Sequence, residues 1–233
     1  MLSLLTVVTT AVLLIIVVMI RDMAKLPTTT KTTALSKSAS ARPDEIVPKR
    51  AKPSRPAPQV TDTASGLSFE LLPSPWHRGC PAWLETPAFS WDAGESALAG
   101  QVMVGGTNAD WHGNACSGQL RQAFAYSGPA DLGPVAMAVV GAADPAYYSA
   151  LPHERTTEGS YGMRVSGHAA WVVKFLMTYP AAAGQGLAWS TELGAVVVVD
   201  TGAGHAPAVF YVSVPSNLGT ANVSTLISSL RLA

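Results

Sequence analysis

The residues best suited to chemistry in this chain are His77-Arg78-Gly79-Cys80 and His112-Gly113-Asn114-Ala115-Cys116, with Asp110 two positions before the second histidine. Two imidazoles and two thiolates are the usual donors of a tetrahedral zinc site, so His77, Cys80, His112 and Cys116 form one candidate ligand set. Zinc sites more often group cysteine with cysteine and histidine with histidine, and the Trp-rich stretch between the two motifs lacks the pattern of a zinc knuckle. The competing reading uses the sulfurs alone. Cys80 and Cys116 are the only cysteines, and a bridge between them would close a long loop and stabilise the fold by about 3–4 kcal/mol. A structural disulfide also demands an oxidising compartment, so the two readings differ in topology as well as in chemistry.

Other catalytic patterns have little support. No Gly-x-Ser-x-Gly elbow occurs, and Ser160 in Gly159-Ser160-Tyr161-Gly162 misses the spacing by one, which leaves a serine hydrolase without its nucleophile turn. Gly184-x-Gly186 and Gly202-x-Gly204 do not complete a dinucleotide fingerprint and read as hairpin loops. Asp92 and Glu95 suit an acid pair by type, but in a loop such charges usually serve solubility. His153, His168 and His205 stand singly and read as solvated turn residues. The expectation is a protein that is not an enzyme and needs no cofactor.

Three unequal parts must position these groups. Sixteen of the first twenty residues are apolar; at about 1.5 Å per residue such a helix spans about 30 Å, the thickness of a bilayer core. No small-x-small cleavage site follows it, so residues 1–20 read as an uncleaved single-pass transmembrane anchor. Residues 21–65 contain no aromatic residue, twelve Ser/Thr and six Pro, a composition that cannot offset its conformational entropy and reads as a disordered linker. Its nine Lys/Arg outweigh four Asp/Glu, and its r.m.s. span would be about 40 Å.

Residues 66–233 hold all seventeen aromatics and form the expected globular domain. Six Lys/Arg against eleven Asp/Glu make that head acidic, which argues against nucleic acid as its partner. Orientation is contested, because no Lys or Arg precedes the apolar run while Arg21, Lys25, Lys31 and Lys37 follow it. By the positive-inside rule the head would face the cytoplasm.

Within the head, strands are expected at Ser68–Leu72 and Gly100–Val104, separated by a loop that carries Trp76, Trp83 and Trp91. Buried Trp is the common state; exposed Trp would mark a binding surface, for which Trp76, Trp83, Trp91 and Trp111 are the candidates. Asp131 to Val140 has helical spacing, and Asp144-Pro145 reads as the cap and first position of a separate short helix. Strands follow at Tyr161–Ser166, Ala170–Thr178, Leu187–Asp200 and Ala208–Val214, an antiparallel meander. Val223, Leu226, Ile227 and Leu230 at i, i+3, i+4 and i+7 lay a closing helix on the sheet. Asn222-Val223-Ser224 matches a glycosylation acceptor only by chance, since it lies in that helix.

The run Val165-Ser166-Gly167-His168-Ala169-Ala170-Trp171-Val172-Val173-Lys174-Phe175, the Trp189 strand, the apolar strand pair and the closing Ser228-Ser229-Leu230-Arg231 helix resemble the PsbP-like fold. That fold occurs in exported actinobacterial envelope proteins, among them lipoproteins and an alanine-proline-rich mycobacterial glycoprotein with a similar stalk. The resemblance implies an α+β domain, an antiparallel sheet covered by helices, and an extracytoplasmic binding or scaffold module without catalytic residues. The expected function is therefore a membrane-anchored envelope protein, held through residues 1–20, whose head binds an envelope protein or glycan through the segment 74–117 and the loop 200–206. The alternatives are a zinc-dependent envelope enzyme and a cytoplasm-facing accessory subunit.

Overall fold

The computed structural model describes residues 57–233. The expected anchor, and the linker as far as residue 56, lie outside the described residues. Among the described residues no helix is long and apolar enough to cross a membrane.

Two antiparallel sheets carry the fold. The larger is built from β3 (His77–Arg78), β4 (Ala93–Val104), β5 (Thr107–Gln119), β6 (Glu154–Val165), β7 (His168–Thr178), β8 (Thr191–Val199) and β9 (Ala208–Pro215), in the order β3-β4-β5-β9-β8-β7-β6. The smaller joins β1 (Gln59–Thr61) and β10 (Arg231–Leu232) to either side of β2 (Leu67–Glu70). Helix α1 (Leu132–Tyr147) covers one face of the large sheet. Helix α2 (Ala221–Ser229) and the small sheet cover the other.

With both faces covered, the central strands must be apolar on both sides. This explains Ala195-Val196-Val197-Val198-Val199: Val196 and Val198 pack with α1, while Ala195, Val197 and Val199 pack with α2, and all five are fully buried. On β9 the same alternation sends Val209 and Tyr211 to one core and Phe210, Val212 and Val214 to the other. The meander β6-β7-β8-β9 and the closing helix are present, with Val223, Leu226 and Ile227 buried, but β6 begins at Glu154 and not Tyr161, and β8 begins at Thr191, which leaves Trp189 in the loop before it. The α+β class with an antiparallel sheet covered by helices is the observed architecture.

Three expectations change. Residues 58–65, assigned to the linker by composition, belong to the fold: Val60 is buried on β1, and Asp62 accepts the N–H groups of Ala64 and Ser65 in a turn. Asp144-Pro145 starts no new helix, since α1 runs through it to Tyr147. A proline costs a helix the bond to the carbonyl four residues earlier, which here is that of the exposed Gly141. Burial of Tyr147 and Tyr148, with the Tyr148 N–H donating to the Asp144 carbonyl at 3.0 Å, holds the final turn.

Third, the strand expected at Gly100–Val104 is the end of a 12-residue strand that pairs along its length with the 13-residue β5. Gly105 and Gly106 turn the hairpin at φ of 57° and 86°, values that favour glycine at both positions of a two-residue turn. Glycine, alanine, serine and asparagine dominate both strands because neighbours approach closely. A methyl group at Gly94 would meet the Ala115 carbonyl oxygen at 2.6 Å.

Candidate functional site

Cys80 and Cys116 form a disulfide with their Cα atoms 6.0 Å apart. It ties the segment after β3 to β5, across the backbone of Gly94 on the intervening strand. The zinc-enzyme alternative is thereby corrected: both thiolates are consumed, and thiolate is what a Cys-His zinc site requires. His77 Nδ1 is held by the Ser96 carbonyl. His112 is half-buried on the far side of β4, and burial lowers its affinity for a proton. Among the described residues no group of three or more His, Cys, Asp or Glu side chains is placed to hold a metal.

Of the four candidate tryptophans Trp76, Trp91 and Trp111 are buried, and Trp83 alone is exposed. Trp76 is buried on the α2 side, and Trp91 is buried on the α1 side, stacked on Phe89 and donating to the Tyr147 hydroxyl at 3.2 Å. Trp83 and Trp111 instead meet at a groove of about 550 Å³ between the β4–β5 hairpin and the end of α1, lined by Val102, Val104, Ala109, Ala146 and Tyr147. Trp83 stands 48% exposed at its rim, edge-on to Tyr147 with ring centres 6.1 Å apart. Asp110 and His112 supply its polar end. The loop 200–206 does not contribute to this groove.

The groove wall is anchored by groups that sequence patterns leave unremarked. Trp111 donates its indole N–H to Glu192 Oε2 at 3.0 Å, and Tyr179 donates its hydroxyl to the same oxygen at 2.9 Å. Ser213 donates to Glu192 Oε1, and the Tyr148 hydroxyl lies 2.6 Å from Ser213 Oγ and 2.7 Å from the Tyr211 hydroxyl. Glu192 is 2% exposed. Burial raises its pKa above the ordinary carboxylate range, opposed by the Ser213, Trp111 and Tyr179 bonds. Its two oxygens are fully engaged within the protein, so its work is to orient Trp111. The signal in the sequence is a single acid directly before the apolar run Leu193–Val199.

Two further readings are corrected. Glu95 is not a solvated loop charge: it lies on β4, fully buried, with Oε2 accepting the Leu72 N–H at 2.9 Å and Oε1 without a partner. Burial lifts its pKa from 4.5 to about 7, against the lowering effects of the Leu72 bond and Arg78. Between those two values the native state holds a proton that the unfolded chain has released, so this group's stabilising contribution is complete below pH 4.5 and is lost as pH rises through about 7. Stability of the native chain minus that of Glu95→Gln should therefore fall across this window in urea titrations at several pH values. A difference that stays flat would refute it. His153 is likewise not free: burial disfavours its charge, but bonds to the Leu151 carbonyl and to Asp144, at 2.8 Å each, outweigh this and raise its pKa. Arg155 completes the cluster on Asp144 at 2.9 Å.

No family model matches the chain, and no curated protein matches it. A likeness appears among solved structures. The chain is similar in fold to cyanobacterial PsbP (CyanoP) from Synechocystis sp. PCC 6803, solved in solution, at 12% identity and a TM-score of 0.44, over 75% of this chain and 93% of that one.

Proposed function

We propose that this is a single-pass membrane-anchored envelope protein whose extracytoplasmic head is a non-catalytic binding module, with the groove between the β4–β5 hairpin and α1 as its working surface. The observation that carries the binding role is Trp83, a large indole left half-exposed beside an apolar groove whose other indole is locked from behind. Exposed aromatics beside preformed concave surfaces are where binding energy concentrates. The ligand class that fits is an apolar or aromatic face of another envelope component. The Cys80–Cys116 bridge supports an oxidising compartment for the head, and the apolar run of residues 1–20 supports the anchor.

Location is tested by lysing native membranes into excess alkylating agent without reductant and mapping peptides. A linked Cys80–Cys116 peptide is expected. Recovery of both cysteines alkylated would overturn the extracytoplasmic reading in favour of the cytoplasm-facing one that Arg21, Lys25, Lys31 and Lys37 favour. The groove is tested with the amphiphilic dye anilinonaphthalene sulfonate: its fluorescence should rise on the native chain, and Ala109→Glu, which puts a carboxylate on the groove wall, should weaken binding at least about tenfold. Unchanged dye binding would sink the groove assignment.

A further inference from the structure

The strand β6 is one edge of the large sheet, bonded to β7 alone among the described residues. Nine of its twelve residues are exposed. The turn into β7 is made by Ser166 and Gly167 at φ of 51° and 88°, so Val165 and His168 are the first mutually bonded pair of the hairpin. With Met163 opposite Ala170 and Tyr161 opposite Val172, the backbone groups of Tyr161, Met163 and Val165 face β7. Those of Ser160, Gly162 and Arg164 point outward, where no strand receives them. Open backbone groups of this kind are a template for another strand.

The side chains select which strand. Glu158 is the extra residue of a bulge between Thr157 and Gly159, and a bulge ends straight pairing, so the usable stretch is Ser160–Arg164. We propose that this stretch pairs with the same stretch of a second copy, antiparallel about a two-fold axis at Gly162, joining the two large sheets edge to edge. In that register Ser160 meets Arg164 and Tyr161 meets Met163, in both directions. Charge decides against the parallel alternative. Each edge has an acid, Glu158, at the bulge end and a base, Arg164, at the turn end. The two-fold arrangement sets each Arg164 beside the bulge end of the other copy, whereas parallel strands would stack Arg164 on Arg164.

Packing agrees with this choice. Tyr161 is 44% exposed, and Met163 is half-buried on the same face, so each ring covers the partner's thioether, a favourable contact for both. On the opposite face Gly162 has no side chain and leaves the half-buried Trp171 bare beside the edge. Trp171 lines a shallow hollow with Pro129, Leu132 and Ala169. Two Gly162 residues on the axis let both hollows close against one another.

Sedimentation equilibrium of the full chain in density-matched detergent tests the proposal. A dimer is expected that weakens at least about tenfold in Arg164→Glu and in Glu158→Arg, each of which turns two attractions into repulsions, and that returns in the double swap. Gly162→Pro removes an outward N–H without touching the bonds to β7 and should give a monomer. A chain that stays monomeric at millimolar concentration, or a dimer indifferent to all of these changes, overturns the proposal. The first outcome would leave the edge to a strand from a different protein.

Discussion

Glu192→Leu should lower the unfolding free energy by about 3–5 kcal/mol, while Glu192→Gln should cost less than about 1 kcal/mol. The asymmetry comes from what each side chain leaves behind. Leucine orphans the Trp111 indole N–H and the Tyr179 hydroxyl together, in a site shielded from water, and takes from Ser213 one of its two partners. An orphaned buried donor costs about 1–3 kcal/mol, and two that share a network do not add in full. Glutamine keeps an acceptor oxygen for Trp111 and Tyr179 and offers an amide to Ser213, which can turn its own proton toward Tyr148. Urea unfolding of the two variants measures the difference. Equal losses would mean that the negative charge, and not hydrogen bonding, holds the cluster. Because Trp111 forms the groove wall, Glu192→Leu should also loosen dye binding in the fraction that remains folded.

Loss of the disulfide is the second large effect. The bridge spans a sequence separation of 36, and closing a loop of that size stabilises by about 3–4 kcal/mol relative to the open chain. Cys80→Ser should therefore lower stability by about that amount in oxidising buffer and match the native chain in reducing buffer. Gly94→Ala should be at least as damaging but should not converge on reduction. Its methyl group would collide with Cys80 Sγ, with Cys116 Sγ at 2.9 Å and with the Ala115 carbonyl oxygen at 2.6 Å. Reduction removes only the constraint between the sulfurs; the carbonyl stays in the ladder. Convergence of both variants would show that the glycine serves the bridge alone.

What could be read from the sequence was whatever repeats locally. Val223, Leu226 and Ile227 announce α2 because a helix puts those spacings on one face, and the β-branched run before Asp200 announces a strand buried on both sides. The β4–β5 hairpin was largely hidden, since Gly94, Gly113 and Gly118 are there for close approach and carry no hydrophobic alternation. Glu95 and Glu192 were misread or passed over because the partners that decide their burial, Leu72 for one and Trp111, Tyr179 and Ser213 for the other, are set by register between distant strands. The groove draws on Trp83, the hairpin and the end of α1, and no window of sequence contains all three. Of the four indoles singled out by type, only the fold separates the exposed Trp83 from the buried Trp76, Trp91 and Trp111.

The position of β9 bears on how the chain reaches this state. It lies between β5 and β8, with Asn114 opposite Ser213, so the seam of the large sheet joins residues about a hundred positions apart. The first hairpin is complete in sequence by Gln119, yet its inner border stays open until Ala208–Pro215 arrives. Folding cannot proceed stepwise behind a chain that emerges from its N-terminal end. The early half must wait, with an unpaired strand border and a bare apolar face, for nearly the whole domain to be present. During that interval it is at its most exposed to misassociation.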